Sequence, residues 1–440
     1  MSIKVAKFGG TSLADAEQFR KVRAIIEADR SRRYIVPSAP GKRHPQDHKI
    51  TDLLYQCHDL AQQGHPFEDI FSLIAGRYLG IIRDLGLNLD LTPALEEIRN
   101  RIAAGASADY TASRGEYLNG LILAAYLGFE FVDPTSLIFF DTQGNLAIEK
   151  TQSTINNALT RKTNVVIPGF YGARPDGQVQ TFSRGGSDIT GALIARGVQA
   201  DLYENWTDVS GFMMADPKIV DNPKPIRKIT YRELRELAYM GASVLHADSI
   251  FPVKKAGIPV HIKNTNAPSD PGTIIVNEAE PVCCTGGITG VAGRKGFTVI
   301  AIEKTFLHDE LGFGRRLLSI IESNGISFEH MPSGIDTISL VIADSQLDGK
   351  LEKVLKEIKE QLKPDSVEVY SNMALIATVG RGMARTPGIA AKLFTALGRE
   401  GINVRMIDQG SSEINIIVGI ENEDMEEAVR AIYKAFVDEQ

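Results

Sequence analysis

The chain has 440 residues, of which 43% are hydrophobic and 23% charged, and a formal net charge of −7. That length predicts two to four domains, and the acidic balance argues against a nucleic-acid binder, which normally carries a basic face. Three cysteines (Cys57 and the adjacent Cys283 and Cys284) make no disulfide framework, the start Met1 to Lys7 lacks the apolar core of a signal peptide, and no apolar run approaches a membrane span, so a cytoplasmic protein is expected.

From the N-terminus, short apolar runs at Ile3 to Phe8, Tyr34 to Val36, Asn164 to Pro168, Ala200 to Tyr203 and Ile258 to Ile262 read as strands. Helical patterns separate them, as in Asp15 to Ala28 and Gly115 to Tyr126, which predicts an α/β domain with a mainly parallel sheet covered on both faces. Asn264 to Gly272, with two prolines, reads as a late loop. Beyond it a repeat begins. Gly325-Ile326-Ser327-Phe328 resembles Gly401-Ile402-Asn403-Val404, and the same register pairs Gly312 with Gly388, Leu317 with Leu393, Gly334 with Gly410 and Ile338 with Ile414. A duplicated unit explains one register held over so many positions. Each copy reads strand, helix, strand, strand, helix. In the first copy the strands fall at Val299 to Ile302, Ile326 to Met331 and Thr337 to Ala343, and the helices at Gly312 to Ser323 and along Leu351, Val354, Leu355, Ile358 and Leu362.

Three motifs can carry chemistry. Lys7-Phe8-Gly9-Gly10-Thr11-Ser12 follows the first strand. Two glycines admit a ligand close to the backbone, the amides that follow open a helix, and Lys7 adds a full positive charge, together an anion cradle without Walker A spacing. Ser183-Arg184-Gly185-Gly186-Ser187-Asp188 opens an apolar helix with more free amides, an arginine able to grip a carboxylate twice, and a carboxylate in the first turn. A simple N-cap would explain Ser187 or Asp188, but it does not call for the arginine and two glycines. Thr207-Asp208-Val209-Ser210-Gly211 follows a strand whose carboxyl end is where such sheets bind ligands. His44, Asp47, His48, Cys57 and His58 lie close in sequence, but in a polar loop and without recognised ligand spacing, so no metal site is expected.

Taken together the sequence resembles the aspartokinases of the amino-acid-kinase family. The matching stretches are KFGGTS (7–12), SAPGKR (38–43), TDLL (51–54), RGEYLNG (114–120), FSRGGSD (182–188), TDVSGFMMADPK (207–218), MGASVLH (240–246) and QGSSEINI (409–416). They cover nearly the whole chain in order, and the repeated tail resembles paired ACT domains, the amino-acid-binding modules of that family. The resemblance implies a three-layer αβα kinase domain over 1–285, followed by two βαββαβ ACT domains over 286–370 and 371–440, with 286–294 able to serve the second. It implies transfer of a phosphoryl group from ATP, with Mg2+ held mainly through ATP, to the side-chain carboxylate of L-aspartate. A glutamate-type kinase or a non-catalytic amino-acid sensor are the alternatives, and length argues against a fused homoserine dehydrogenase.

By resemblance Lys7, Arg184 and Asp188 are catalytic, and Lys7, Gly9, Gly10, Thr11 and Ser38 line the phosphates. Thr51, Glu116, Arg184, Gly185 and Ser187 hold aspartate, and Thr207, Asp208, Met213 and Lys218 attend the nucleotide. The chain departs from the family pattern at Met213, where tyrosine is frequent, at Lys218, where arginine is, and at Ser243, where lysine is. Lysine, alone or with threonine, is the implied effector, contacting Leu307, Glu310, Gly312, Phe313, Gly314, Ser327, Phe328 and Glu329. Arg405 and Ser411 stand in the second repeat where the first has Glu329 and Ile335, so the second is not expected to bind a cationic amino acid in the same way. Pairing through ACT domains implies a homo-oligomer, a dimer or a dimer of dimers.

Overall fold

The structure is a computed structural model that describes residues 2–183, 185–241, 245, 247–277 and 287–438. Arg184, Ser243, Cys283, Cys284 and the expected boundary at 285–286 lie outside the described residues. The chain forms two compact units. One is Met1–Phe212 with Pro225–Tyr231 and Ser243–Pro281, and the other is Met213–Lys224 with Arg232–Ala242 and Val282–Gln440.

The first unit is built on an eight-stranded sheet. Its strands are β1 (Lys4–Phe8), β2 (Arg32–Pro37), β3 (Glu130–Phe131), β4 (Val165–Val166), β7 (Leu202–Thr207), β8 (Lys228–Thr230), β9 (Val260–Asn264) and β10 (Thr273–Val276), and β5 (Tyr171–Ala173) and β6 (Val179–Thr181) form a separate hairpin. The order is β3-β4-β2-β1-β7-β9-β10-β8, parallel except between β9 and β10. Side chains on β1 alternate between faces. Ala6 and Phe8 enter a core shared with α1 (Ala16–Glu27), α2 (Ile50–Gln62), α3 (Glu68–Leu85), α4 (Thr92–Ala103) and α5 (Ala108–Leu127). Lys7 lies between them in sequence and points to the opposite layer, which holds α6 (Ile148–Leu159), α7 (Gly186–Gly197) and α9 (Phe251–Ala256). Glu204 on β7 is buried, and Arg32 engages it with two nitrogens at 2.6 and 3.1 Å while Trp206 Nε1 donates at 2.9 Å.

The polar stretch after β2 is anchored. Buried Asp47 accepts from Arg77 Nη2 at 2.7 and 2.8 Å and from Arg43 Nε at 2.8 Å, and Arg77 Nη1 also donates to the Gly41 carbonyl at 3.1 Å. The Arg43 hydrogen bond foremost, with the Arg77 charge, holds the Asp47 carboxyl below the usual carboxylate range against the opposing effect of burial. Its contribution to stability is therefore complete at neutral pH and is lost only as pH falls below the ordinary carboxylate range. Arg77→Met, which removes the better buried partner, is expected to cost about 3 kcal/mol in urea-measured stability at pH 7.

The second unit contains a five-stranded sheet of order β12-β11-β13-β15-β14, with β11 (Gly290–Glu303), β12 (Thr337–Ala343), β13 (Ser366–Val379), β14 (Met406–Asp408) and β15 (Asn415–Glu421). The helices of this unit are α8 (Tyr231–Tyr239, save its first residue), α10 (Phe313–Ser323), α11 (Asp344–Leu347), α12 (Leu351–Leu362), α13 (Ile389–Arg399) and α14 (Met425–Tyr433). The two longest strands run through both repeats. Phe297–Glu303 of β11 pairs with β12, Val299–Glu303 also pairs with Ser366–Tyr370, and Gly290–Lys295 pairs with Ala374–Val379. α10 and α12 cover the first repeat, where Ile300, Leu317, Leu340 and Ile358 meet in one core. The strand expected at Ile326 to Met331 is reduced to isolated bridges, His330 to Val341 and Ser333 to Ile338. Pro332 has no N–H for a ladder, and Gly334 instead closes a turn onto Thr337.

Candidate active site

Lys7 and Asn205 are register partners on the parallel strands β1 and β7, so their side chains leave the sheet on the same face. α7 crosses that face and brings Asp188 from its first turn. Lys7 Nζ lies 2.7 Å from Asp188 Oδ1 and 3.4 Å from Asn205 Oδ1, and Asn205 Nδ2 donates to Asp188 Oδ1 at 2.8 Å. The Lys7 side chain is 11% exposed. The lysine is thus a fixed charge at the carboxyl end of the central strand. Asn205 was not singled out from sequence; the signal was two polar residues, Glu204 and Asn205, inside a strand buried on both faces.

The chain leaves β1 through Gly9 and Gly10 into a tight turn at Thr11–Leu13. A Cβ on Gly10 would meet the Ala39 carbonyl oxygen at 2.8 Å, and one on Gly41 would meet Gly10 C at 2.7 Å. The two loops therefore touch through bare backbone, and Gly41 N–H donates to the Gly10 carbonyl at 2.8 Å. Nothing but backbone can yield in this contact, so Gly10→Ala is expected to cost about 1–3 kcal/mol of stability and to lower kcat by roughly tenfold through displacement of the turn, read by urea unfolding and steady-state rates. Ser38 follows β2, and its carbonyl accepts from Asn119 Nδ2 at 2.6 Å.

Glu116 on α5 is 5% exposed. Burial pushes its carboxyl up to about 8, against the opposing effect of the Ala39 N–H and the charges of Arg114 and Lys7. Its Oε2 has no hydrogen-bond partner among the described residues. Desolvating an acid without satisfying it is costly, and the missing partner is what an incoming ammonium group would supply. Thr51 sits in the first turn of α2, which packs on α5. Ser187 is buried in the first turn of α7 behind left-handed Gly185. Gly169 makes room for it, since a Cβ there would lie 2.5 Å from Ser187 Oγ. Thr207 ends β7 and Asp208 follows it, with Thr207 Oγ1 3.2 Å from Asp208 Oδ1. Met213 and Lys218 belong to the second unit.

The first unit thus joins a fixed cation, a glycine turn, helix-start amides and an orphaned acid, a combination suited to phosphoryl transfer onto a substrate that carries an ammonium group. Comparison with known proteins identifies the lineage. The Amino acid kinase family profile matches residues 2–264, and an ACT domain profile matches 376–436. Aspartokinase 3 of Bacillus subtilis is 38% identical, with 99% of this chain and 98% of that protein covered. The chain belongs to the aspartokinases of the amino acid kinase family. Clostridium acetobutylicum aspartate kinase superposes with a TM-score of 0.91 at 58% identity, covering 99% of this chain and all of that one. Escherichia coli aspartokinase III in complex with aspartate and ADP superposes at 0.76 with 26% identity, covering 99% of both. The chain is accordingly an aspartate kinase, a phosphotransferase. Among the described residues no helix is long and apolar enough to cross a membrane.

In the second unit the expected effector residues separate by environment. Leu307 and Phe313 are buried in the core of the first ACT repeat, and their N–H groups donate to the carbonyls of Lys304 and Glu310. Glu310 is engaged by Lys304 at 2.6 Å and by Arg316. Gly312, in a left-handed conformation, opens α10, and Gly314 lies in its first turn. Ser327 and Phe328 are exposed, and the Glu329 carboxylate accepts from the Tyr239 hydroxyl.

Proposed function

We propose that the enzyme transfers the γ-phosphoryl group of ATP to the side-chain carboxylate of L-aspartate through Lys7. The observation that carries this reading is the buried Lys7 ammonium, fixed between Asp188 and Asn205 beside the Gly9-Gly10 turn. The aspartate carboxylate is ionised at neutral pH, since the model value is about 3.9, so no general base is required and Asp188 acts by orienting Lys7. Two anions must be brought together, and fixed positive charge with correct positioning supplies the catalysis. Gly9, Gly10, Thr11 and Ser38 border the phosphates. Glu116 receives the α-ammonium group and Arg184 the α-carboxylate, with Thr51, Gly185 and Ser187 completing the aspartate site. Thr207 and Asp208 attend the nucleotide, and the assignment of Met213 and Lys218 to it rests on the sequence motif alone. Mg2+, carried by ATP, neutralises phosphate charge when bound. The test is an ATP-dependent hydroxamate assay across aspartate, glutamate and N-acetylglutamate. Acceptance of aspartate alone is expected, and preference for either other acid overturns the reading.

The proposal extends to regulation. Lysine, alone or with threonine, inhibits at the first ACT repeat, within the proposed limits 286–370, and the protein works as a homo-oligomer paired through its ACT domains, in the cytoplasm. Support comes from the amides of Gly312 and Gly314 at the start of α10, which suit an effector carboxylate, and from the relative E. coli aspartokinase III, solved in complex with lysine and aspartate in a T-state. Glu310 is already neutralised by two cations, which leaves Glu329 as the acid for the effector's side-chain ammonium. An effector inhibits only by binding one state better than another. Glu329→Ala is therefore expected to shift the lysine inhibition midpoint upward about tenfold, with uninhibited turnover retained. Superimposable inhibition curves remove Glu329 from the site.

A further inference from the structure

Asn119 lies on α5 one turn after Glu116, and both side chains reach the loop that follows β2. Asn119 Nδ2 donates to the Ser38 carbonyl at 2.6 Å, and the Glu116 carboxyl accepts from the Ala39 N–H. That carbonyl and that N–H belong to one peptide unit, so α5 holds the Ser38–Ala39 peptide at both of its polar ends. The helix comes this close because residue 115 has no side chain. A Cβ on Gly115 would lie 2.8 Å from the Ala39 Cβ. The same loop meets the Gly9-Gly10 turn through backbone. The Ala39 carbonyl oxygen is 2.8 Å from where a Gly10 Cβ would stand, Gly41 N–H donates to the Gly10 carbonyl at 2.8 Å, and Ser38 N–H donates to the Phe8 carbonyl at 3.0 Å. Asn119 is fully buried, and its Oδ1 has no hydrogen-bond partner among the described residues. Turning the amide over would set two carbonyl oxygens against each other, so Ser38 fixes its orientation. A buried amide satisfied on one side adds little to stability. What it does here is hold one peptide.

We infer that Asn119 is a positioning residue for phosphoryl transfer: it fixes the Ser38–Ala39 peptide so that filling the ammonium site at Glu116 orders the phosphate turn at Gly9-Gly10, and aspartate and ATP bind cooperatively. The inference rests on the aspartate site proposed above. An ammonium group beside Glu116 favours its ionised form, and an ionised acceptor takes a shorter and stronger hydrogen bond from the Ala39 N–H than a neutral one. With a free carbonyl at its other end, the peptide would answer that pull by rotating. With the Ser38 carbonyl held by Asn119, the loop is instead fixed as a unit against Gly10. Backbone in contact with backbone cannot yield by a change of rotamer, so order gained in the loop passes to the turn. Such coupling is reciprocal, and ATP raises the affinity for aspartate by the same factor.

The test reads coupling separately from stability. Full-length protein is titrated calorimetrically with aspartate alone, and with a non-hydrolysable ATP analogue and Mg2+ in the absence and presence of saturating aspartate. In the wild type aspartate is expected to tighten analogue binding about fivefold or more. Asn119→Leu keeps the volume and removes the donor. It is expected to bring that ratio close to one and to lower kcat about tenfold, while the affinity for aspartate alone stays near that of the wild type and circular dichroism is unchanged. Gly115→Ala presses on Ala39 from the same helix and leaves both hydrogen-bonding side chains in place. It is expected to lose the coupling as well, and it decides if Asn119→Leu fails to fold. A wild type that does not bind aspartate overturns the substrate reading and this inference together. Aspartate binding with a wild-type ratio near one, or a folded variant that keeps the wild-type ratio, overturns this inference and leaves the substrate reading standing.

Discussion

Lys7→Ala is expected to lower kcat by about two to three orders of magnitude, the loss that follows removal of one preorganised electrostatic contact from a transition state. The lysine is held by Asp188 at 2.7 Å before any substrate arrives, so no reorganisation is spent in placing its charge during the reaction. In the variant Asp188 keeps its hydrogen bond from Asn205, and circular dichroism is expected to be that of the wild type. Lys7→Arg is expected to recover little, because the longer, planar group cannot occupy the same point between Asp188 and Asn205. A folded Lys7→Ala enzyme turning over at near the wild-type rate would remove the residue from the phosphoryl-transfer step.

Glu116→Gln is expected to separate binding from stability. In the ligand-free protein burial raises the carboxyl to about 8 from a model value of 4.5. The folded state therefore holds a proton that the unfolded chain releases, and stability declines as pH rises between those two values, by roughly 5 kcal/mol once both forms are ionised. The glutamine variant lacks this decline. It should match the wild type below pH 4.5 and exceed it in urea stability at pH 9. Aspartate binding should respond in the opposite sense, since glutamine offers the substrate ammonium no charge, and the KM for aspartate should rise by about a hundredfold. In the wild type the same KM should fall as pH rises from 6 to 8, with proton release on binding detectable in buffers of different ionisation enthalpy. A variant with an unchanged aspartate KM would exclude Glu116 from the ammonium site.

Much of the site could be read before folding because its parts are local. The lysine near the end of one strand, the two glycines and the helix start lie within six residues, and an anion cradle needs only that local order. The α/β character of the first unit and the duplicated tail were equally legible, from apolar runs alternating with helical stripes and from one constant register. What escaped the sequence is what long-range pairing creates. Asn205 becomes Lys7's neighbour only through parallel pairing of β1 with β7, and Asn119 reaches Ser38 only when α5 lies along the loop after β2. The stretch after Pro40 reads as a free polar loop, yet Arg77, from a helix thirty residues on, pins it through Asp47. The overread strand at Ile326 to Met331 has the apolar alternation of a strand, but the proline and glycine that follow deny it a ladder.

The place of β1 has a consequence for synthesis. β1 precedes every other strand of its sheet in the chain and is interior to that sheet, hydrogen-bonded on one side to β2 and on the other to β7, whose paired residues stand 198 positions later. Until β7 emerges, one edge of β1 is an open template. At about 5–20 residues per second that interval lasts roughly 10–40 s. During it the nascent chain presents an unpaired apolar strand to other nascent chains and to itself. Slowing elongation between β2 and β7 is therefore expected to raise the demand for chaperones and the aggregated fraction, whereas slowing it after β9 leaves β1 already enclosed.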